Sequence, residues 1–379
     1  MENMQKLRVA IVIPTQSNIK SSLHNLLKVY AYLIKKYKVE VTVFTDKKNS
    51  FSYNNFRVQE ISGIDYKTPV EKILLFLGMQ RFYYLDLVEK LEGYDTIETS
   101  NPEFYWFAYQ SYLAAKRYKS RLIYRTSQTV DGFYLFKFTK FIPIAIAKKA
   151  YDYAKWLLFT NPQAVERCVK LGLIKKNSKK IVLIGHATDT KTFKPLNLKK
   201  KKGKIILLSV GGLYRIKGHH LIIHALKKVI DKDHKAELWI VGDGYYKNTL
   251  INLAKILNVT QNVKFLGSKE HKELSIIYNK ADIFVLANYQ EITPAVNEAL
   301  ACKKPVVAME CGGCEYVIPN DTYGLVSRRF DIDDMAQKII YLIKNKEAAA
   351  KIAENGRKNV LENFSIEQVG EKFYKCLIS

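Results

Sequence analysis

Long apolar runs are missing from this 379-residue chain. No stretch reaches the roughly 18 uninterrupted apolar residues of a membrane-spanning helix. The run Val9–Pro14 is too short for a secretory signal. Cysteine is scarce. Five, an odd number without framework spacing, argue against a disulfide-built scaffold and suit a reducing, cytoplasmic compartment. Acidic residues are outnumbered, 36 against 61 Lys and Arg, for a formal charge of +25. The imbalance is uneven: residues 1–200 carry 34 basic and 16 acidic side chains, residues 201–379 carry 27 and 20. Such an excess attracts anionic partners, whether nucleic acid, acidic lipid headgroups or phosphorylated substrates. No P-loop, serine-hydrolase elbow or Gly-x-Gly-x-x-Gly after the first strand is present. Nucleic-acid recognition motifs are absent too, so nucleic acid is not an expected partner.

What the chain does have is 48% hydrophobic residues in short, alternating strand and helix patterns. Leu7–Pro14, a loop Thr15–Ser22, a helix from Leu23 to about Tyr37 and a strand Val39–Asp46 open a doubly wound α/β domain. Gly93–Thr99, Arg121–Arg125 and Lys180–Ile184 read as further strands, with a helix around Phe104–Tyr118. After Pro195 the basic run Leu196–Lys204 lacks apolar periodicity and reads as a connector. The alternation then restarts at Ile205–Val210. Expected domains are 1–195, 196–364 and a closing helix over 365–379 that returns to the first domain. Two such halves facing each other would make a ligand cleft.

The stretch around which the second half is organised is Ala287–Glu298, Ala-Asn-Tyr-Gln-Glu-Ile-Thr-Pro-Ala-Val-Asn-Glu. It joins the strand Ala281–Leu286 to a helix Ala295–Cys302, with Thr293 as N-cap and Pro294 at the first helical position. Free amides of a first turn favour phosphate. Glu291 and Glu298 would border that crevice and receive sugar or ribose hydroxyls. The spacing alone equally fits two solvated glutamates on an ordinary crossover. Ser209–Gly218 follows a strand and precedes a helix. Its glycines Gly211 and Gly212 permit close backbone approach, and Arg215 and Lys217 add cations suited to a diphosphate, although a solvated basic turn fits as well. Cys311-Gly-Gly-Cys314 is half a zinc site at best; a thiol pair and an anion-binding Gly-Gly turn both fit it. His219, His220 and His224 read as helix residues rather than metal ligands. Asp331 and Asp333 precede a helix, where capping explains them better than chelation.

Taken in order, these segments resemble the retaining, nucleotide-sugar-dependent glycosyltransferases of GT-B type (group 1, family 4-like). The resemblance covers nearly all of 160–365. It runs through Ile181–Pro195 with Phe193-Lys-Pro, Ser209–Gly218, Leu238–Gly244, Val263–Gly267, the two-glutamate segment, Gly312–Glu315 and Tyr323–Val326. It implies two Rossmann-like domains and an enzyme that moves a sugar from a nucleoside diphosphate to a glycan or lipid-linked acceptor. It further implies no metal and no cofactor beyond the donor. Lys217 would bind the diphosphate and Glu298 the ribose. Glu291 would lie beside the transferred sugar, and Gly312 and Gly313 would offer amides. Cations and amides on the leaving phosphates are what departure from an oxocarbenium-like centre requires.

Departures from the pattern are definite. Six residues, not seven, separate Glu291 from Glu298, and Gly212 replaces the usual arginine, a charge Arg215 is expected to supply. The loop Thr15–Ser22 lacks the glycines, and Arg125–Thr129 the histidine, that many members of the family carry, so no catalytic residue is identified in this domain; Gln16, Ser17 and Gln128, with Ser127 nearby, are the expected acceptor-side residues. The departures support an alternative, a non-catalytic relative that binds nucleotide, glycan or a protein partner. Phe133–Ile142, continuing to Lys148 and Lys149, interleaves aromatics with lysines. It reads either as a surface for an anionic bilayer, making the protein peripheral, or as a core helix with lysines reaching out.

Overall fold

The computed structural model describes residues 6–13, 24–45, 56–62, 84–103, 106–127, 141–198 and 203–379. The chain divides into two compact units, Met1–Gly185 with Val369–Ser379, and His186–Gln368.

In the first unit, β1 (Arg8–Val12), β2 (Glu40–Thr45), β3 (Arg57–Glu60), β4 (Thr96–Thr99), β5 (Arg121–Thr126), β6 (Trp156–Phe159) and β7 (Ile181–Leu183) form one parallel sheet. Its order is β3-β2-β1-β4-β5-β6-β7. Inner strands are short and buried on both faces, β1 and β2 mostly apolar and β4 (Thr-Ile-Glu-Thr) largely polar. Two strands escape the sequence reading for different reasons. β3 (Arg-Val-Gln-Glu) is a half-polar edge strand. β6 follows the helix Phe141–Tyr153 after only two residues, so no turn signal in the sequence separates helix from strand. That helix buries Ala147, Ala150 and Tyr151 in the core and leaves Lys148 and Lys149 exposed. The aromatic-basic stretch before it lies outside the described residues.

The last helix, Ile366–Ile378, is part of this unit from Val369 onward. It lies on the helix His24–Tyr37. Tyr30 packs edge-on against Phe373 at 5.3 Å, and Glu371 accepts hydrogen bonds from Tyr32, Tyr37 and Lys36. Gly370 is needed there because a Cβ would come within 2.6 Å of the Tyr32 ring.

The second unit holds β8 (Ile205–Val210), β9 (Ala236–Val241), β10 (Val263–Phe265), β11 (Ile283–Leu286), β12 (Val306–Met309) and β13 (Leu325–Ser327), all parallel, in the order β10-β9-β8-β11-β12-β13. Alternate residues of the same strands feed two separate cores. Leu207, Val285 and Val307 face one, while Leu208, Phe284 and Val306 face the other. Both faces are therefore covered by helices. None of the described helices is long and apolar enough to cross a membrane.

The unit begins at His186, ahead of the expected boundary at Pro195. Packing explains the shift. Thr188 bridges to Ser365, Phe193 is fully buried against Tyr278 and His271, and Asn279 bonds the carbonyl of Lys194 and the amide of Leu196. Those contacts tie the segment to the second unit before the basic connector starts.

β8 is flanked by β9 on one side and by β11 on the other, so the winding reverses between β8 and β11. At such a switch point the loops beyond the carboxyl ends of the two strands part and leave a crevice. Here those loops are 211–218 and 287–293.

Candidate functional site

The loop after β8 is stitched into place by its neighbours. Gly211 donates to the carbonyl of Val241 at 3.0 Å, Leu213 to Asp243 at 2.9 Å, and Leu213 accepts from Tyr246 at 2.9 Å. Arg215–Lys217 then makes a single 3-10 turn that ends at Gly218, whose φ is 68°. A Cβ at Gly218 would come within 1.9 Å of the carbonyl oxygen of Ala287. Glycine is thus required twice over, for the left-handed backbone and for close approach to the loop after β11. The amide of Tyr289 completes the join by donating to Ile216 at 3.0 Å.

The loop after β12 reaches the same place. Gly312 donates to Gln290 at 2.9 Å and accepts from Ile292 at 2.8 Å, forming an isolated parallel bridge with Glu291 between them. The side chain of Asn288 supports the turn by donating to the Glu291 carbonyl at 2.7 Å. Three loops that are distant in sequence therefore converge on Glu291.

Burial governs the charges here. It pushes the Glu291 carboxyl up to about 7, against the opposing pull of Lys217. Burial also lowers the Lys217 ammonium, while Glu291 and then Cys311 act the other way. A carboxyl near neutrality beside a destabilised cation is a typical functional-site signature. Several buried side-chain oxygens on this segment make no hydrogen bond within the protein: Asn288 Oδ1, Glu291 Oε2, Thr293 Oγ1 and Asn297 Oδ1. Orphaned acceptors are uncommon in a protein interior, and four within ten residues mark a surface shaped for a polar ligand.

Other expected residues take definite places. Pro294 opens the helix Pro294–Ala301. Thr293 is the N-cap residue, as expected, and its hydroxyl makes no capping hydrogen bond. Glu298 is 6% exposed and accepts from the Tyr278 hydroxyl at 2.9 Å. Arg215 is exposed, and its charge acts on His220 and Tyr289, whereas the cation acting on Glu291 is Lys217. At Gly212 a Cβ would meet the Tyr214 ring at 2.5 Å. An arginine there would have to displace that ring. Gly313 has φ of 83° and begins the short helix Cys314–Val317. Gln16, Ser17 and Gln128 lie outside the described residues.

The histidines and Asp331 have structural partners. His219 Nδ1 is 3.1 Å from the Ser209 hydroxyl, His220 Nε2 is 2.6 Å from the Tyr289 hydroxyl, and Asp331 caps its helix through the amide of Asp334 at 2.8 Å. Among the described residues no group of three His, Cys, Asp or Glu is placed to hold a metal ion. A crevice of about 290 Å³ lined by Ile205, Asp282 and Pro305 lies at the amino ends of the strands, the edge opposite Glu291.

Sequence reasoning missed Asn288, Tyr278 and Leu213, which position the site. Tyr278 lies on the helix His271–Lys280, whose start carries a reciprocal Glu270–Glu273 capping box. That Glu-x-x-Glu spacing was a readable signal. Leu213 acts through its backbone, which leaves no mark in side-chain identity.

Known proteins resemble this chain in sequence and in fold. Residues 190–359 match the family described as "Glycosyl transferases group 1". Over 171 residues the chain is 33% identical to a GDP-mannose-dependent monoacylated alpha-(1-6)-phosphatidylinositol monomannoside mannosyltransferase of Corynebacterium glutamicum, covering 43% of this chain and 44% of the relative. It is 27% identical to an N,N'-diacetylbacillosaminyl-diphospho-undecaprenol alpha-1,3-N-acetylgalactosaminyltransferase of Campylobacter jejuni, over 76% of this chain and 78% of that protein. Several other curated relatives are matched over about half of their length. Among solved structures, a glycosyltransferase of Rickettsia africae superposes with a TM-score of 0.76 at 19% identity, over 98% of both chains. The Anabaena protein HepE in complex with UDP gives 0.77 at 16% identity, over 98% of this chain and 99% of that one. The fold is GT-B, and residues 190–359 match the model of the glycosyl transferases group 1 family.

Proposed function

We propose that this protein is a retaining glycosyltransferase that moves a sugar from a nucleoside-diphosphate donor to a glycan or lipid-linked acceptor. The observation that carries the reading is the convergence of Lys217, Glu291 and the Gly312 turn at the switch point of the second sheet. A nucleoside diphosphate leaves from the anomeric carbon as negative charge grows on its phosphate oxygens, and that charge needs fixed donors. Lys217 supplies a cation already poised on a rigid turn, and the glycine turns supply close backbone. In this reading no divalent ion is required, and a chelator leaves turnover intact. Glu291, uncharged below about pH 7, is compatible with a nearby diphosphate and has a carboxyl oxygen left over for a sugar hydroxyl. Glu298, oriented by Tyr278, is assigned to the ribose.

The printed names of the two curated relatives include a phosphatidylinositol mannoside and a diphospho-undecaprenol acceptor. Together with the basic excess of residues 1–200, they support a lipid-linked acceptor and association of the first unit with an anionic membrane face from the cytoplasmic side. The exposure of Lys148 and Lys149 supports that reading.

The test is a panel of UDP-, GDP- and ADP-sugars assayed for slow hydrolysis without acceptor. Release of nucleotide from one donor class supports the enzyme. A second reading, a non-catalytic relative, is favoured by the shortened separation of Glu291 and Glu298. It predicts tight nucleotide binding and no turnover with any donor. Flotation with anionic liposomes at low and high salt tests the membrane partner, and protein left at the bottom at low salt refutes it.

A further inference from the structure

The pair Cys311 and Cys314 is absorbed by none of these roles. The two Sγ atoms lie 3.4 Å apart, and both side chains are buried, at 7% and 3% exposure. Cys168, Cys302 and Cys376 are also buried free thiols, and burial pushes each of them up, to about 12, 12 and 11. The 311–314 pair differs because each sulfur has the other as its partner. The sulfur–sulfur hydrogen bond favours the Cys314 thiolate and disfavours loss of the Cys311 proton. Position matters as much as chemistry. Between the two cysteines lie Gly312, whose amide and carbonyl clasp the neighbours of Glu291, and Gly313, whose left-handed backbone caps the short helix that begins at Cys314. Cys311 is also electrostatically coupled to both Lys217 and Glu291.

We infer that Cys311 and Cys314 form a peroxide-sensitive dithiol whose oxidation to a disulfide loosens the Gly312 clasp on Glu291. The oxidant is hydrogen peroxide, small enough for a site this closed. The Cys314 thiolate attacks one peroxide oxygen, the O–O bond breaks, and a sulfenic acid forms with release of water after proton uptake. Cys311 sulfur then attacks the Cys314 sulfur, the S–O bond breaks, and a second water leaves carrying the Cys311 proton. Two thiols and one peroxide thus give one disulfide and two waters, with two electrons passing from sulfur to oxygen. The bond draws the sulfurs from 3.4 Å to about 2.05 Å. Between the sulfurs lies Gly312, which bonds Gln290 and Ile292 on either side of Glu291, so the contraction is delivered to that turn.

Formation of the disulfide is independent of the donor-site reading; only its effect on nucleotide affinity rests on it. The experiment treats the full-length, folded protein with hydrogen peroxide and then with dithiothreitol. Three readouts follow: thiols counted after denaturation, hydrogen exchange of peptides covering 288–293 and 310–316, and affinity for UDP and GDP. Expected are loss of two of the five thiols, with a cross-link mapped to Cys311 and Cys314, and faster exchange at Ile292 and Gly312. Nucleotide affinity falls by about tenfold or more, as a misplaced turn would cause, and dithiothreitol reverses all three. In Cys311→Ser and Cys314→Ser, exchange in these peptides does not respond to peroxide. Retention of all five thiols, or a disulfide that leaves exchange unchanged, overturns the inference. Altered exchange with no nucleotide binding in either state supports the dithiol and defeats the donor-site reading.

Discussion

Lys217 and Glu291 face one another electrostatically, yet burial moves each away from its charged form more than the other restores it. The pair is therefore held in a state that an anionic ligand would change. A diphosphate favours the ammonium and further disfavours the carboxylate.

This gives a pH dependence with a defined sign. Glu291 is raised from 4.5 to about 7 in the folded protein. Its contribution to stability is present below the unfolded value and is lost as pH rises through about 7, where a buried carboxylate must form. Wild type should thus lose stability relative to Glu291→Gln between pH 5 and pH 8 (a range of about 3 units around the shifted value). Denaturant midpoints measured at both ends check it, and parallel curves for the two proteins refute the shift.

Lys217→Ala should weaken UDP or GDP binding by about 10- to 100-fold, the range for losing a charge-assisted contact. Arg215→Ala should do less, because Arg215 is exposed and acts on His220 and Tyr289. Titration calorimetry of both variants separates the two cations. Equal losses would restore Arg215 as the replacement for the arginine missing at Gly212.

Gly218→Ala should be among the most damaging single changes in the second unit. A Cβ would come within 1.9 Å of the Ala287 carbonyl on a backbone with φ of 68°. The expected cost is roughly 2–4 kcal/mol, read as a lowered unfolding midpoint. An alanine at Gly172, where nothing lies within 4 Å, controls for left-handed strain alone.

In the first unit the contact to test is Gly370 on Tyr32. Gly370→Ala forces the ring to move and should cost about 1–3 kcal/mol. Glu371, held down to about 2 by hydrogen bonds from Lys36, Tyr32 and Tyr37, contributes stability above its unfolded value that is lost as pH falls through about 2. Its effect should be the smaller one, since the side chain is one-third exposed. Thermal unfolding of Gly370→Ala and Glu371→Gln at neutral pH ranks them.

Much of the second unit could be read directly. Its strands are mostly apolar runs, β8 and β12 exit into glycine pairs, and β8, β11 and β12 place their exits together once the sheet order is known. Sequence did not show which backbone atoms join the loops. The clasp of Gly312 on Gln290 and Ile292, and that of Leu213 on Asp243 and Tyr246, are made by amides and carbonyls common to every residue. The Thr293 hydroxyl was assigned to capping by local rules, whereas in the folded chain it makes no hydrogen bond. β6 hid behind a helix of similar hydropathy, and the domain limit at His186 depended on Phe193 finding Tyr278 some eighty residues later.

The assignment of Val369–Ser379 to the first unit bears on how the molecule is made. All residues of the second unit are contiguous, so a nascent chain can complete that sheet while the ribosome still holds the final helix. The first unit waits for the helix that follows the second, because Phe373 and Glu371 cover Tyr30 and Tyr32. A premature stop near residue 368 would therefore spare the later-encoded unit and cripple the earlier one.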